Sequence, residues 1–175
     1  GNPPYGAQIS EQEKNYFNSN FKYQSYQLDS YLLFIEKSMT LTRASGCLSL
    51  IIPNTWLLNL FSKNLRNWLF SEKTIRNVVH FVSSVFAAIV DTEVVVYLNE
   101  KPSDSHQIQI SIVDGYEAVN NFEIPQSRWQ SQGGEPVNVL SKPEFSGFID
   151  KLRKFPTLND ICIITQGSKP FQVGK

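Results

Sequence analysis

The residues with the clearest chemical potential are the first six, Gly1-Asn2-Pro3-Pro4-Tyr5-Gly6. Asn2 offers a side-chain amide oxygen and Pro3 a main-chain carbonyl, two acceptors side by side. The proline rings restrict the backbone, so the direction of both acceptors is largely set in advance. Tyr5 adds a flat ring. Such a turn can grip both N–H bonds of an exocyclic amine, as on a flipped-out base, and hold it beside a methyl donor. The lone pair of that amine is delocalised into the ring, and two acceptors on its N–H bonds favour the pyramidal form that attacks a methyl group. Preorganised acceptors work by alignment and electrostatics, without a strong general base. Four residues can also arise by chance, and a plain turn is the competing reading, since Asn before Pro favours one.

The elements that must position this turn are read from periodicity. Residues 7–27 are polar and aromatic without a sustained period, and are expected to be a loop with a helical turn. From Asp29 onward Tyr31, Leu32, Phe34, Ile35, Ser38, Met39 and Thr42 recur at helical spacing. Asp29 or Ser30 can cap that helix and Gly46 can end it. The apolar run from Cys47 to Pro53 predicts a strand covered on both faces, the habit of parallel sheets.

Asn54 or Thr55 can cap a second helix with Leu57, Leu60, Phe61, Leu65, Trp68 and Leu69 on its apolar stripe. Strands are expected over 75–82, 88–98 and 106–113, the last two as a hairpin across the polar turn between them. The stretch through Gly133-Gly134 is turn-rich and carries no clear period. A weak helical pattern runs over 144–154, and Ile161 to Thr165 predicts a short strand. Helix, strand, helix, strand, strand describes half of an α/β sheet.

Bulk properties narrow the function classes. In 175 residues, apolar types make up 41% and charged types 18%, a globular rather than a disordered composition. Lys+Arg and Asp+Glu balance at 16 each, so no whole-chain footprint for nucleic acid is visible. Cys47 and Cys162 lie in apolar runs and are expected to be small buried hydrophobes. His80 and His106 stand alone, without metal-ligand spacing, and His80 is expected to be a satisfied structural residue. With no leader peptide and no apolar run long enough for a bilayer, a cytoplasmic protein is expected.

The order of features resembles the N6-adenine DNA methyltransferases of the gamma arrangement, found in type II and type IIG restriction-modification systems. Asn2-Pro3-Pro4-Tyr5 matches their catalytic motif, and Asp29 to Lys37 resembles the helix motif that follows. Gly46 to Leu57 resembles the next strand and loop, and Leu65-Arg66-Asn67-Trp68-Leu69 the helix after it. Val85-Phe86-Ala87-Ala88 leading into Asp91 to Val96 resembles the segment that carries a pocket aromatic and the last strands. Five motifs stand in order over residues 1 to 100. Leu152 to Asp160 and Ile163 to Gly167 are similar to the entry of a target-recognition domain.

The resemblance implies a partial Rossmann-like methyltransferase sheet, its later strands and helices only, with a small mixed segment at the C-terminus. It divides the chain into the C-terminal portion of a catalytic domain (1–113), a connecting segment (114–150) and the start of a recognition domain (151–175). Asn2, Pro3, Pro4 and Tyr5 would be catalytic, and Tyr5 and Phe86 would stack on the flipped base. Asn54 and Trp56 are candidate pocket residues, although a helix cap and its first buried residue explain them equally well.

The Gly-rich turn that holds S-adenosylmethionine and the acid that grips its ribose do not occur in this sequence. The cofactor is therefore expected in a parent enzyme and not on this chain. The parent would act on double-stranded DNA. The isolated chain is expected to be inactive and to self-associate through the exposed edge of the 47–53 strand. A non-catalytic domain that keeps the fold to contact DNA or subunits is the alternative, but it would be expected to lose Asn2 to Tyr5 first. Asp or Glu two positions before Lys, needed by the usual metal-dependent nucleases, occurs nowhere in the sequence.

Overall fold

Why the sheet takes its order follows from where each strand finds a partner. The computed structural model describes residues 1–23, 28–83, 91–140, 146–152, 154–163 and 165. Its elements are α1 (Glu11–Asn20), α2 (Ser30–Leu41), β1 (Cys47–Pro53), α3 (Thr55–Leu58), a 3-10 turn (Leu60–Ser62), α4 (Lys63–Glu72), β2 (Thr74–Phe81), β3 (Thr92–Leu98), β4 (Gln107–Asp114), β5 (Glu117–Pro125), α5 (Gln126–Gln130), α6 (Ser146–Leu152) and α7 (Leu158–Ile161). Residues 1–139 and 140–175 form two compact units.

In the first unit the five strands run in the order β1-β3-β2-β4-β5. β3 pairs antiparallel with β1 and with β2, β2 pairs parallel with β4, and β4 pairs antiparallel with β5. Tyr31, Ile35 and Met39 of α2 share one buried cluster with Leu50 and Ile52 of β1, Leu65, Leu69 and Phe70 of α4, and Ile108 and Ile110 of β4. These spacings are the three-and-four pattern of a helix face and the alternation of strands, which is why the sequence forms these elements here.

The expected hairpin between the strands at 88–98 and 106–113 does not form. Both edges of β3 are taken, by β1 and β2, so the chain passes the start of β2 and places β4 beyond it. The passage is pinned there: Thr74 Oγ1 donates to the Glu100 carbonyl at 3.0 Å, and His106 Nε2 lies 2.8 Å from the Ile75 carbonyl. The hairpin is instead β4–β5. β5 carries Glu117, Asn120, Asn121 and Glu123 on an exposed edge, which is why its sequence shows no apolar period. β5 and α5 extend the first unit to 139, into the segment expected to be a connection from 114.

β1 pairs antiparallel, and only its second half is well covered: Leu50, Ile52 and Pro53 are buried while Cys47 and Ser49 are exposed. The loop expected over 7–27 contains α1, set by a capping box in which Ser10 and Glu13 satisfy each other's backbone N–H. Its helical signal is hidden because none of its residues is buried.

The single helix expected after Asn54 is broken into α3, the 3-10 turn and α4. Arg66 explains how the break is tolerated. Its guanidinium is wholly buried and donates to the carbonyls of Trp56 (2.9 Å), Asn59 (2.5 Å) and Gly134 (2.9 Å). Burial pulls its pKa down to about 10, so it stays charged at neutral pH. Gly134 has φ +81, and a Cβ there would lie 2.4 Å from the Lys63 carbonyl, so only glycine allows this approach.

In the second unit α7 ends at Ile161 and no strand occurs among the described residues that follow. A capping box, Thr157 with Asp160, makes the last short run helical. Both cysteines are exposed rather than buried. Cys47 opens β1 at its uncovered end, and Cys162 caps α7 with its thiol donating to the Leu158 carbonyl at 3.0 Å.

Candidate functional site

The first six residues form a loop held at three places. At its start, the Gly1 amine donates to the Ser49 carbonyl (2.7 Å), and the Ile51 N–H donates to the Gly1 carbonyl (2.9 Å). Two bonds reaching residues on either side of Leu50 are the pattern of a parallel ladder, so the loop runs on toward the C-terminal end of β1. Further along, Ser30 Oγ donates to the Pro4 carbonyl (2.7 Å), and the Gly6 N–H donates to Asp29 Oδ1 (3.1 Å). Gly6 closes the loop with φ +66.

Between these anchors Pro3 is buried, Tyr5 is half-buried against the edge of the core, and Asn2 and Pro4 are exposed. Among the described residues no partner bonds the Asn2 side-chain amide or the Pro3 carbonyl. Among the described residues the two predicted acceptors have no partner, while Gly1, the Pro4 carbonyl and the Gly6 N–H are tied. Asn2, Pro3, Pro4 and Tyr5 come together on one loop because they are consecutive; the tertiary contribution is the clamp.

Asp29 and Ser30 are legible in the sequence only as helix caps. Asp29 does precede α2, but its side chain makes no cap bond and reaches the loop instead. No local signal distinguishes the two uses. The next residue, Tyr31, shares a 2.9 Å hydrogen bond with Thr55 Oγ1 at the start of α3. The first turn of α2 therefore ties the loop and the end of β1 to one support.

Asn54 begins α3 half-buried, with its N–H donated to the Asp91 carbonyl at 2.9 Å and no side-chain cap bond. Trp56 lies in the core. It is 0% exposed, edge-on to Phe70 and Tyr97, and its Nε1 donates to Glu93 Oε2 at 2.8 Å. Phe86 lies outside the described residues, as do its neighbours Val85, Ala87 and Ala88.

His80 sits in the core with Nδ1 3.0 Å from Glu93 Oε1. Burial raises the Glu93 pKa, opposed by the hydrogen bonds from His80 and Trp56. Burial also raises Tyr31 and Tyr97. Among the described residues no three His, Cys, Asp or Glu side chains converge as a metal site, and no helix is long and apolar enough to cross a membrane.

The loop lies beside β1 of an α/β unit, with the Asn2 side chain and the Pro3 carbonyl unpartnered among the described residues. Residues 1–86 match the family described as Eco57I restriction-modification methylase. It is 30% identical over 111 residues to the type II restriction enzyme and methyltransferase RM.Eco57I of Escherichia coli, an alignment covering 60% of this chain and 11% of that protein. The chain spans about a tenth of the length of the curated relatives it matches.

Solved structures share the fold. A chain of a type I restriction-modification system aligns with a TM-score of 0.59 at 16% identity, over 87% of this chain and 41% of that one. The type IIG restriction endonuclease BpuSI aligns with a TM-score of 0.56 at 13% identity, over 77% and 19%.

Proposed function

We propose that this chain is the acceptor-side part of a site-specific DNA methyltransferase that methylates adenine N6 on a flipped-out base. The observation that carries the reading is the pair of acceptors, Asn2 Oδ1 and the Pro3 carbonyl, unbonded among the described residues on a loop held through Gly1, the Pro4 carbonyl and the Gly6 N–H. Asn2 and Pro3 accept the two N–H bonds of the amine, and the clamp fixes their direction before the base arrives. Tyr5 stacks on the base, with Phe86 as the second face and Asn54 at the rim. Base–aromatic stacking of about 1–3 kcal/mol offsets much of the few kcal/mol that flipping costs. The catalytic reading of Pro4 is as the residue that stiffens the turn.

In the parent protein S-adenosylmethionine supplies the methyl group. The residues that would hold it do not fit on this chain: the sequence lacks the Gly-rich turn and acid, and Asn2 is exposed. Its binding would depend on segments of a longer protein, in keeping with the small share of the relatives that this chain spans. Double-stranded DNA is the proposed substrate of that protein. The isolated chain is proposed to be inactive, to bind no cofactor and to self-associate through the outer edge of β1, where Gly1 engages only Ser49 and Ile51.

The test is methyl transfer from labelled S-adenosylmethionine to unmethylated DNA by the full-length protein carrying this chain. Label on adenine N6 that disappears in Asn2→Ala supports the reading. Label on cytosine N4 would keep the acceptor chemistry and change the substrate. A folded, cofactor-binding protein that transfers nothing to diverse DNA would move the assignment to a non-catalytic domain.

A further inference from the structure

Two successive residues at the start of α2 bracket Tyr5 from outside. Ser30 Oγ holds the carbonyl of Pro4 at 2.7 Å, and Asp29 Oδ1 holds the N–H of Gly6 at 3.1 Å. Those groups belong to the two peptide planes on either side of the Tyr5 Cα. Fixing both planes fixes the φ and ψ of Tyr5, and with them the direction in which its ring leaves the backbone. The Pro3–Pro4 peptide is restrained in a different way, by the two rings.

The clamp also sorts the loop's carbonyls. Two adjacent proline carbonyls could each present an acceptor to an amine. Ser30 occupies that of Pro4, while that of Pro3 has no partner among the described residues. Neither Asp29 nor Ser30 is needed where its position in the sequence would put it, since the N-terminus of α2 has no side-chain cap bond from Asp29. A helix start that forgoes its own cap and commits both side chains to a loop 23 and 26 residues away is built for the loop.

We propose that Ser30 and Asp29 are positioning residues for base capture and methyl transfer: they set the Tyr5 ring against the flipped base and leave the Pro3 carbonyl as the main-chain acceptor. The inference rests on the acceptor-loop reading above. Neither residue touches the reacting atoms; both act through Pro4, Tyr5 and Gly6.

The experiment uses the full-length protein carrying this chain, with Ser30→Ala, Ser30→Thr, Asp29→Ala and Asn2→Ala made separately. Rate is measured under single turnover, alongside DNA affinity, melting temperature and the fluorescence of an adenine analogue at the target position, which brightens on leaving the stack. Ser30→Ala is expected to lower the rate about tenfold and dim the analogue signal, with DNA affinity and melting temperature unchanged. Ser30→Thr, which keeps the hydroxyl, is expected to recover the rate to within about threefold.

If Ser30→Ala and Asp29→Ala both keep rate and signal within about twofold while Asn2→Ala is inactive, the clamp is overturned and the acceptor reading stands. If Asn2→Ala itself remains active, the acceptor reading falls and the clamp with it. Loss of rate with a matching loss of melting temperature, unrescued by Thr, would assign Ser30 to folding and overturn the positioning role.

Discussion

Glu93 and Trp56 meet in the core through a 2.8 Å hydrogen bond from the indole N–H to one carboxylate oxygen, while His80 takes the other oxygen at 3.0 Å. Glu93 faces Ile52 of β1 on one side and His80 of β2 on the other, so this single residue ties α3 to the three strands at the end of the sheet nearest the loop. Trp56→Phe keeps most of the packing but strands a buried oxygen. It is expected to cost about 1–3 kcal/mol, read as a lowered melting temperature of about 2–4 °C per kcal/mol.

The same carboxylate gives the fold a pH dependence. Burial raises its pKa above the ordinary 4.5, with His80 and Trp56 opposing. The native state therefore binds the proton more readily than the unfolded chain. The Glu93 contribution is full below pH 4.5 and is lost as pH rises through the native value. Glu93→Gln stays neutral throughout. Its stability relative to the parent is expected to improve as pH rises through that window, and a pH-independent difference between their melting temperatures would rule this out.

Arg66→Lys is a harsh change despite conserving charge. The guanidinium reaches three carbonyls on two segments, those of Trp56 and Asn59 and that of Gly134. An ammonium is a point charge on a flexible stem and cannot copy the fork. The expected loss is about 3 kcal/mol, seen as a lower urea midpoint with the denaturant slope unchanged.

Gly134→Ala adds one methyl where the backbone has φ +81 and the Lys63 carbonyl would lie 2.4 Å from it. The turn must move, and the Arg66 bond to Gly134 moves with it. A loss of at least about 1–3 kcal/mol is expected. Gly115→Ala is the control: its φ is also positive, at +59, but the space around it is open, so it should cost less in the same melting experiment.

The chemistry proposed for the site is read from the amino-acid sequence because Asn2 to Tyr5 are neighbours, and acceptor types on a stiff turn need no tertiary information. The helices and strands with one apolar face are equally legible, as α2, β1, β2 and β4 show. What periodicity misses lacks such a face: α1 buries nothing, and β5 is an exposed edge. Partner choice is also hidden, because β3 looks the same in a hairpin with β4 as between β1 and β2. Pairing is decided by which edges remain free once the sheet assembles. Trp56, Glu93 and His80 read as three unrelated residues, 13 and 37 positions apart, until the strands align them. Asp29 and Ser30 read as caps for the same reason. A short polar side chain can serve its own helix or a neighbouring loop at similar cost, and only the folded chain brings the Pro4 carbonyl and the Gly6 N–H within reach.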